Sequence, residues 1–138
     1  MPINVKYSAF RAYSQPVAGV ALGPFLSVRL RRGGVYYDTF GLVDSGADGS
    51  MFHTQHALAL GLALDQAQAQ VGSGVGGNTE IWLHTIDLVV AGATITTPVA
   101  FSSGCPPNYG LLGRADFFDR FRIGIEHRDG RLLYHRLP

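Results

Sequence analysis

Gly41-Leu42-Val43-Asp44-Ser45-Gly46-Ala47-Asp48-Gly49-Ser50-Met51-Phe52 is the stretch on which the reading of this chain turns. An apolar run halts at an acid, a row of small residues follows, and two apolar residues close it. The segment leading in, Val35 to Val43, is rich in β-branched and aromatic side chains and predicts a strand ending at Asp44. On its own, Asp44-Ser45-Gly46 is compatible with an Asx turn, the carboxylate accepting from a backbone N–H two residues on.

Upstream, Leu26, Val28 and Leu30 alternate with Ser27, Arg29 and Arg31, the pattern of a half-buried strand, and Gly33-Gly34 supplies a tight turn into the next. The first 24 residues, with Pro2, Pro16 and Pro24, read as an irregular lead-in to a domain spanning 25–138. Downstream, Thr54 is placed to cap a short helix running to Leu60 and closed by Gly61. A Gln/Ala stretch then leads to Gly72-Ser73-Gly74-Val75-Gly76-Gly77, followed by the strongly β-prone Ile81 to Val90. Ala91-Gly92-Ala93 reads as a turn, Thr94 to Phe101 and Tyr109 to Leu112 as strands, and Arg114 to Phe121 as a brief helix. Arg122 to His127 and Arg131 to Leu137 frame Asp129-Gly130, a hairpin signal. Some seven short strands and two short helices give a mostly-β domain.

Composition sets the outer bounds. In 138 residues, 46% are hydrophobic and only 15% charged, against roughly 25% charged in ordinary soluble domains. That excludes disorder as the main description. The 11 Lys and Arg balance 10 Asp and Glu, so the chain as a whole carries no footprint for a nucleic-acid backbone. Val17 to Val28, the most apolar region, is broken by Gly19, Gly23 and Pro24 and is too short to span a bilayer. The single cysteine, Cys105, permits no intrachain disulfide, which fits a reducing compartment. With no secretory leader at the N-terminus, the expectation is a soluble, cytoplasmic protein with no nucleic-acid or membrane partner.

The segment Gly41 to Phe52 closely resembles the active-site segment of retropepsin-like aspartic proteases: an apolar run, Asp-Thr/Ser-Gly-Ala, a small polar residue, and two apolar ones. Leu111-Leu112-Gly113-Arg114 is similar to the second family signature, two apolar residues and a glycine opening a short helix. The glycine cluster Gly72 to Gly77 lies between them, where the family carries its flap. The three features follow family order and cover roughly Phe25 to Leu137.

The resemblance implies a closed-barrel acid-protease half-domain in which Asp44 is catalytic. Ser45, Gly46 and Ala47 would hold its carboxylate, Leu112 and Gly113 would support the loop from beneath, and Gly74, Val75, Gly76 and Gly77 would close over a peptide. The chemistry needs two carboxylates sharing one proton around a water. This chain has one D-[S/T]-G triplet, so activity implies a homodimer with Asp44 of each copy on the two-fold axis. Its interface would be of the obligate kind, at or above about 2,000 Å². Arg131 to Leu137 and part of the lead-in form either an intersubunit sheet or a hairpin packed within the subunit. No metal and no organic cofactor is implied. A catalytically silent dimerisation or peptide-binding module of the same fold is the alternative.

Other candidates carry less. Asp48 is read as solvated or bonded to Arg114 or another nearby base. His53 and His56, at i, i+3 spacing, would need a third ligand beyond Asp48 to hold a metal. Gly72, Gly74 and Gly77 formally satisfy G-x-G-x-x-G, but a Gln-rich stretch precedes them and a β-prone run follows, the wrong setting for a dinucleotide. No His precedes residue 53 and no G-x-S-x-G occurs, which disfavours a serine nucleophile. Cys105 has no neighbour marking an activated thiolate.

Overall fold

The computed structural model describes residues 6–16, 18–74 and 77–138, and its frame is set by two hairpins. β2 (Phe25–Arg32) runs antiparallel to β3 (Val35–Val43), Arg32 facing Val35 across Gly33-Gly34. Gly33 sits at φ +58°, which the turn requires and a side chain would resist. Phe25, Leu26, Val28 and Leu30 are buried while Ser27 and Arg29 face solvent, the alternation expected from the sequence. Arg29 forks onto Asp38 on the neighbouring strand at 2.7 and 3.0 Å and lies over the Tyr36 ring. The bond from Arg29 holds the Asp38 carboxyl below its usual range.

β6 (Gly77–Val90) is the longest strand, and it pairs in three places. Its first part meets β5 (Gln70–Gly74), its remainder meets β7 (Ala93–Phe101), and Asp87–Val90 meet Val28–Arg31 of β2. The β6–β7 turn takes Ala91 and Gly92 at φ +50° and +78°, the paired left-handed conformation of a tight hairpin. Two short strands complete the ring: β4 (Met51–Phe52) and β8 (Gly110–Leu112). β8 runs parallel to β3 and antiparallel to β4, and β4 runs parallel to β7. The order β2-β3-β8-β4-β7-β6 thus returns to β2 as a closed barrel. It is filled by side chains such as Leu30, Phe52, Leu88, Phe101 and Leu112, each fully buried.

The ends of the chain form a separate three-stranded sheet, β1 (Ala9–Ala12), β10 (Arg131–Arg136) and β9 (Phe121–Glu126), with β10 in the centre. Leu132 and Phe121 join the barrel's core from this sheet. One expectation changes here and one open choice is narrowed. The lead-in is not irregular throughout, since Ala9–Ala12 is a strand whose pairing is supplied by residues at the far end of the chain. Of the two roles open for Arg131 to Leu137, the structure has the hairpin within the subunit. Gly130 at φ +62° makes its turn.

The helical elements also differ in detail. α1 (Thr54–Ala59) is capped by His53, whose Nδ1 accepts from Gln55 N, rather than by Thr54. Gly61 closes it at φ +73° as expected. The helix expected over Arg114 to Phe121 ends at Phe118 and is wound as a π turn, and Phe121 already opens β9. The Phe117 and Phe121 rings nevertheless stack, centroids 4.9 Å apart. Ten strands are described instead of about seven. The additional ones are short, and non-local partners decide them.

Candidate active site

Asp44 is where β3 runs out. Its backbone is pinned on both sides: Val43 N donates to Pro24 O and Asp44 N to Leu112 O, both at 3.0 Å. The Asx turn that the sequence permitted is made, with Gly46 N donating to Asp44 Oδ1 at 2.9 Å and Ala47 N to Asp44 O at 3.2 Å. One carboxylate oxygen is therefore fixed by the loop's own backbone. A side chain at position 46 would press on that oxygen, which explains the glycine. Ser45 and Gly46 are exposed beside a half-buried Asp44.

Beneath the loop, the segment after β8 acts as a cradle. Arg114 N donates to Ala47 O and Ala115 N to Asp48 O, at 3.0 and 2.8 Å. The Arg114 guanidinium reaches Ser45 O at 2.9 Å and pairs with Asp48. Of the readings open for Asp48, pairing with Arg114 is the one the structure has. Gly113 is pressed on Gly49: a Cβ there would lie 2.4 Å from Gly49 backbone atoms, so only glycine lets the two segments meet. Leu112 packs in the core and receives the Asp44 N–H on its carbonyl.

Sequence reasoning missed Asp116 and Ser50. Asp116 is 3% exposed and accepts from Ser50 N, Ser50 Oγ and Phe117 N at 3.0, 2.6 and 2.6 Å. Ser50 Oγ accepts in turn from Gly113 N at 3.2 Å. A buried carboxylate thus bolts the far end of the Asp44 loop to the second signature. The π turn at Arg114–Phe118 brings Asp116 underneath. The signal available in sequence was a lone acid between Ala115 and two phenylalanines.

Above the loop lies a cleft of about 740 Å³. Asp44 and Gly46–Met51 form its floor. Gly72, Ser73, Gly77, Asn78 and Thr79 of the β5–β6 hairpin overhang it, and Ile81, Leu83, Pro98, Ala100 and Leu111 make an apolar wall. Gly74 pairs with Gly77 at the hairpin's end, while Val75 and Gly76 lie outside the described residues. The described glycines of the cluster, Gly72, Gly74 and Gly77, thus lie on two paired strands, and a strand rather than the helix a dinucleotide needs follows Gly77. Thr79 Oγ1 and Ser102 Oγ, 3.0 Å apart, tie the overhang to the barrel, and Ser102 Oγ also accepts from Gly104 N. A second, smaller hollow on the barrel's outside, lined by Ser27, Arg29 and Asp38 among others, shares no residue with the loop.

The remaining candidates are occupied elsewhere. His56 is buried, stacks on Tyr37 with centroids 4.6 Å apart, and donates Nε2–H to Pro107 O at 2.9 Å. Its Nδ1 is buried without a partner. Burial is the main cause holding the His56 pKa below the ordinary 6.5, the Pro107 bond opposes it, and the charge of His53 adds to it. With His53 capping α1, neither ring is turned to a shared ligand. Among the described residues no group of three or more His, Cys, Asp or Glu is placed to hold a metal. Cys105 is buried and its thiol is pushed up to about 12 by desolvation, so it stays protonated. No described helix is long and apolar enough to cross a membrane.

Fold and site together define an acid-protease half-domain: a closed barrel, an Asp-Ser-Gly loop at a strand end, a glycine hairpin above it, and an apolar-apolar-glycine segment beneath. Residues 29–115 match the family model described as aspartyl protease, and the chain belongs to this retropepsin-like aspartic protease family. Among solved structures it is similar to EIAV protease in complex with an inhibitor, at 26% identity and a TM-score of 0.54. The match covers 71% of this chain and 88% of that one. No curated protein matches.

Proposed function

We propose that this protein is an aspartic endopeptidase that works as a homodimer, Asp44 of each copy holding the attacking water between them. The observation that carries this reading is the half-complete site: one carboxylate, braced on one oxygen and open on the other, on the floor of a peptide-sized cleft. Two such groups brought close cannot both ionise, so one keeps a proton. The ionised Asp44 takes a proton from the water as it attacks the scissile carbonyl, and the protonated one donates to the carbonyl oxygen. Collapse of the tetrahedral intermediate then returns a proton to the leaving nitrogen. Ser45, Gly46 and Ala47 position the carboxylate, with Leu112 and Gly113 fixing the loop from below. The β5–β6 hairpin, Gly74 to Gly77 included, would cover an extended peptide and offer backbone groups for strand-like pairing. The lone buried thiol fits work in a reducing, cytoplasmic setting.

The test is cleavage of an unfolded protein substrate, with solution mass measured in parallel. The wild type is expected to cleave as a dimer, with a bell-shaped pH–rate profile centred below neutrality. Asp44→Asn is expected to retain dimer mass and lose cleavage. Cleavage undiminished in that variant overturns the aspartic mechanism, and a wild-type dimer that binds peptide without cutting it makes the chain a binding module.

A further inference from the structure

Thr79 stands where β6 runs past the barrel. The β6–β7 ladder ends with Trp82 facing Phe101, and Thr79 lies beyond that pair, on the half of the strand that overhangs the cleft. Strand alternation puts it on one face with Ile81 and Leu83, and all three line the cleft. Both neighbours are apolar, so Thr79 carries the only hydrogen-bonding side chain of that row. Its Oγ1 meets Ser102 Oγ at 3.0 Å, a distance at which either oxygen can be the donor.

Ser102 decides the direction. It is fully buried, its own N–H is spent on Phe52 O, and its Oγ has two partners among the described residues, Thr79 Oγ1 and Gly104 N. Gly104 N–H is a donor and fills a lone pair, so it cannot receive the Ser102 hydroxyl proton. That proton has one acceptor in reach, Thr79 Oγ1, and a buried O–H left undonated is costly. Thr79 therefore accepts from Ser102 and keeps its own O–H, for which the described residues offer no acceptor. Gly104 leaves the space for this contact: a Cβ there would stand 3.0 Å from Thr79 Oγ1. The other hydroxyls around the cleft are committed, Ser50 to Asp116 and Ser73 to Asn78.

We propose that Thr79 is a substrate-binding residue whose hydroxyl donates to a main-chain carbonyl oxygen of the peptide in the cleft, and that Ser102 is the positioning residue that orients it. This deepens the endopeptidase reading above and rests on it. A peptide carbonyl brought against the apolar wall of Ile81 and Leu83 gives up its water, and without a donor there it would be left unsatisfied. Thr79 supplies that donor. Branching at Cβ restricts its χ1 on the strand, and the bond from Ser102 occupies one lone pair, so the remaining proton is directed away from Ser102.

The test reads binding apart from cleavage. A labelled peptide spanning a site that the wild type cuts in an unfolded protein is titrated into Asp44→Asn protein and its Kd measured by fluorescence anisotropy. Adding Thr79→Val, which keeps the shape and removes the hydroxyl, should weaken binding about tenfold, and Thr79→Ser should restore most of it. Ser102→Ala should weaken it less, since the Thr79 hydroxyl remains but is no longer oriented. Thr79→Ala gives the same reading if valine disturbs the strand. A structural role is separated by peptides in which one carbonyl oxygen at a time is replaced by sulfur, a weaker acceptor. One position should weaken binding to protein with Thr79 and make no difference to the Thr79→Val protein. An unchanged Kd in Thr79→Val and Thr79→Ala, or no sulfur position that distinguishes the two proteins, overturns this role while leaving the endopeptidase standing. A wild type that neither cuts nor binds any peptide overturns both readings.

Discussion

Two aspartates, Asp44 and Asp116, stand at opposite ends of the same loop system and are treated in opposite ways. Asp116 is buried and accepts three hydrogen bonds, from Ser50 N, Ser50 Oγ and Phe117 N. Asp44 accepts one through its carboxylate, from Gly46 N, and faces an open cleft. A buried carboxylate with three of its roughly four acceptor sites filled by fixed donors serves as a structural bolt, with little capacity left for a substrate or a water. A carboxylate held on one side and left open on the other can still take a water and a proton. The contrast assigns stability to Asp116 and chemistry to Asp44.

The largest effect that would break this contrast is on turnover. Asp44→Asn should lower cleavage at least about 10³-fold while leaving the denaturation midpoint nearly unchanged. A matching loss of stability would mean Asp44 is a bolt as well. Asp116→Ala should do the reverse, costing about 3 kcal/mol in urea unfolding because three donors lose their acceptor in the core. Asp116→Asn keeps the volume and one acceptor oxygen and should recover part of that loss. Equal unfolding midpoints for wild type and the alanine variant would contradict the role given to Asp116.

The smallest effect concerns His56, which like Asp116 is buried and polar, and it sharpens what burial without full satisfaction does. Its folded-state pKa is lowered, so the unfolded chain binds a proton more readily. Its contribution to stability is therefore whole above the ordinary value near 6.5 and declines as pH falls through that value toward the depressed folded one. Unfolding followed at pH 8 and pH 5 should show lower stability at pH 5. His56→Gln keeps a neutral donor for Pro107 O and should reduce the difference; an unchanged difference would place its source elsewhere.

The Asp44 loop and the β2–β3 hairpin were legible because their signals are local: strict alternation in Leu26-Ser27-Val28-Arg29-Leu30, Gly33-Gly34 at the turn, and small residues after an acid. What escaped was decided by distant partners. Ala9–Ala12 has no alternation of its own and becomes a strand only because β10 offers an edge. Asp116 looks like any surface acid until the π turn carries it under Ser50. His53 replaced Thr54 as the cap because its Nδ1 reaches Gln55 N, an acceptor that cap preferences rank below a hydroxyl.

The most direct test of the two-carboxylate site is a mixing experiment. Wild-type protein at constant concentration is titrated with Asp44→Asn protein under conditions that allow subunit exchange, and cleavage is followed. If each site needs Asp44 from both copies, random pairing with an equal amount of variant leaves about half of the wild-type chains in wild-type dimers. Activity should then fall to about half and continue towards zero with excess variant. Activity that stays constant as the variant is added would show that each chain works alone, and the shared site would be wrong.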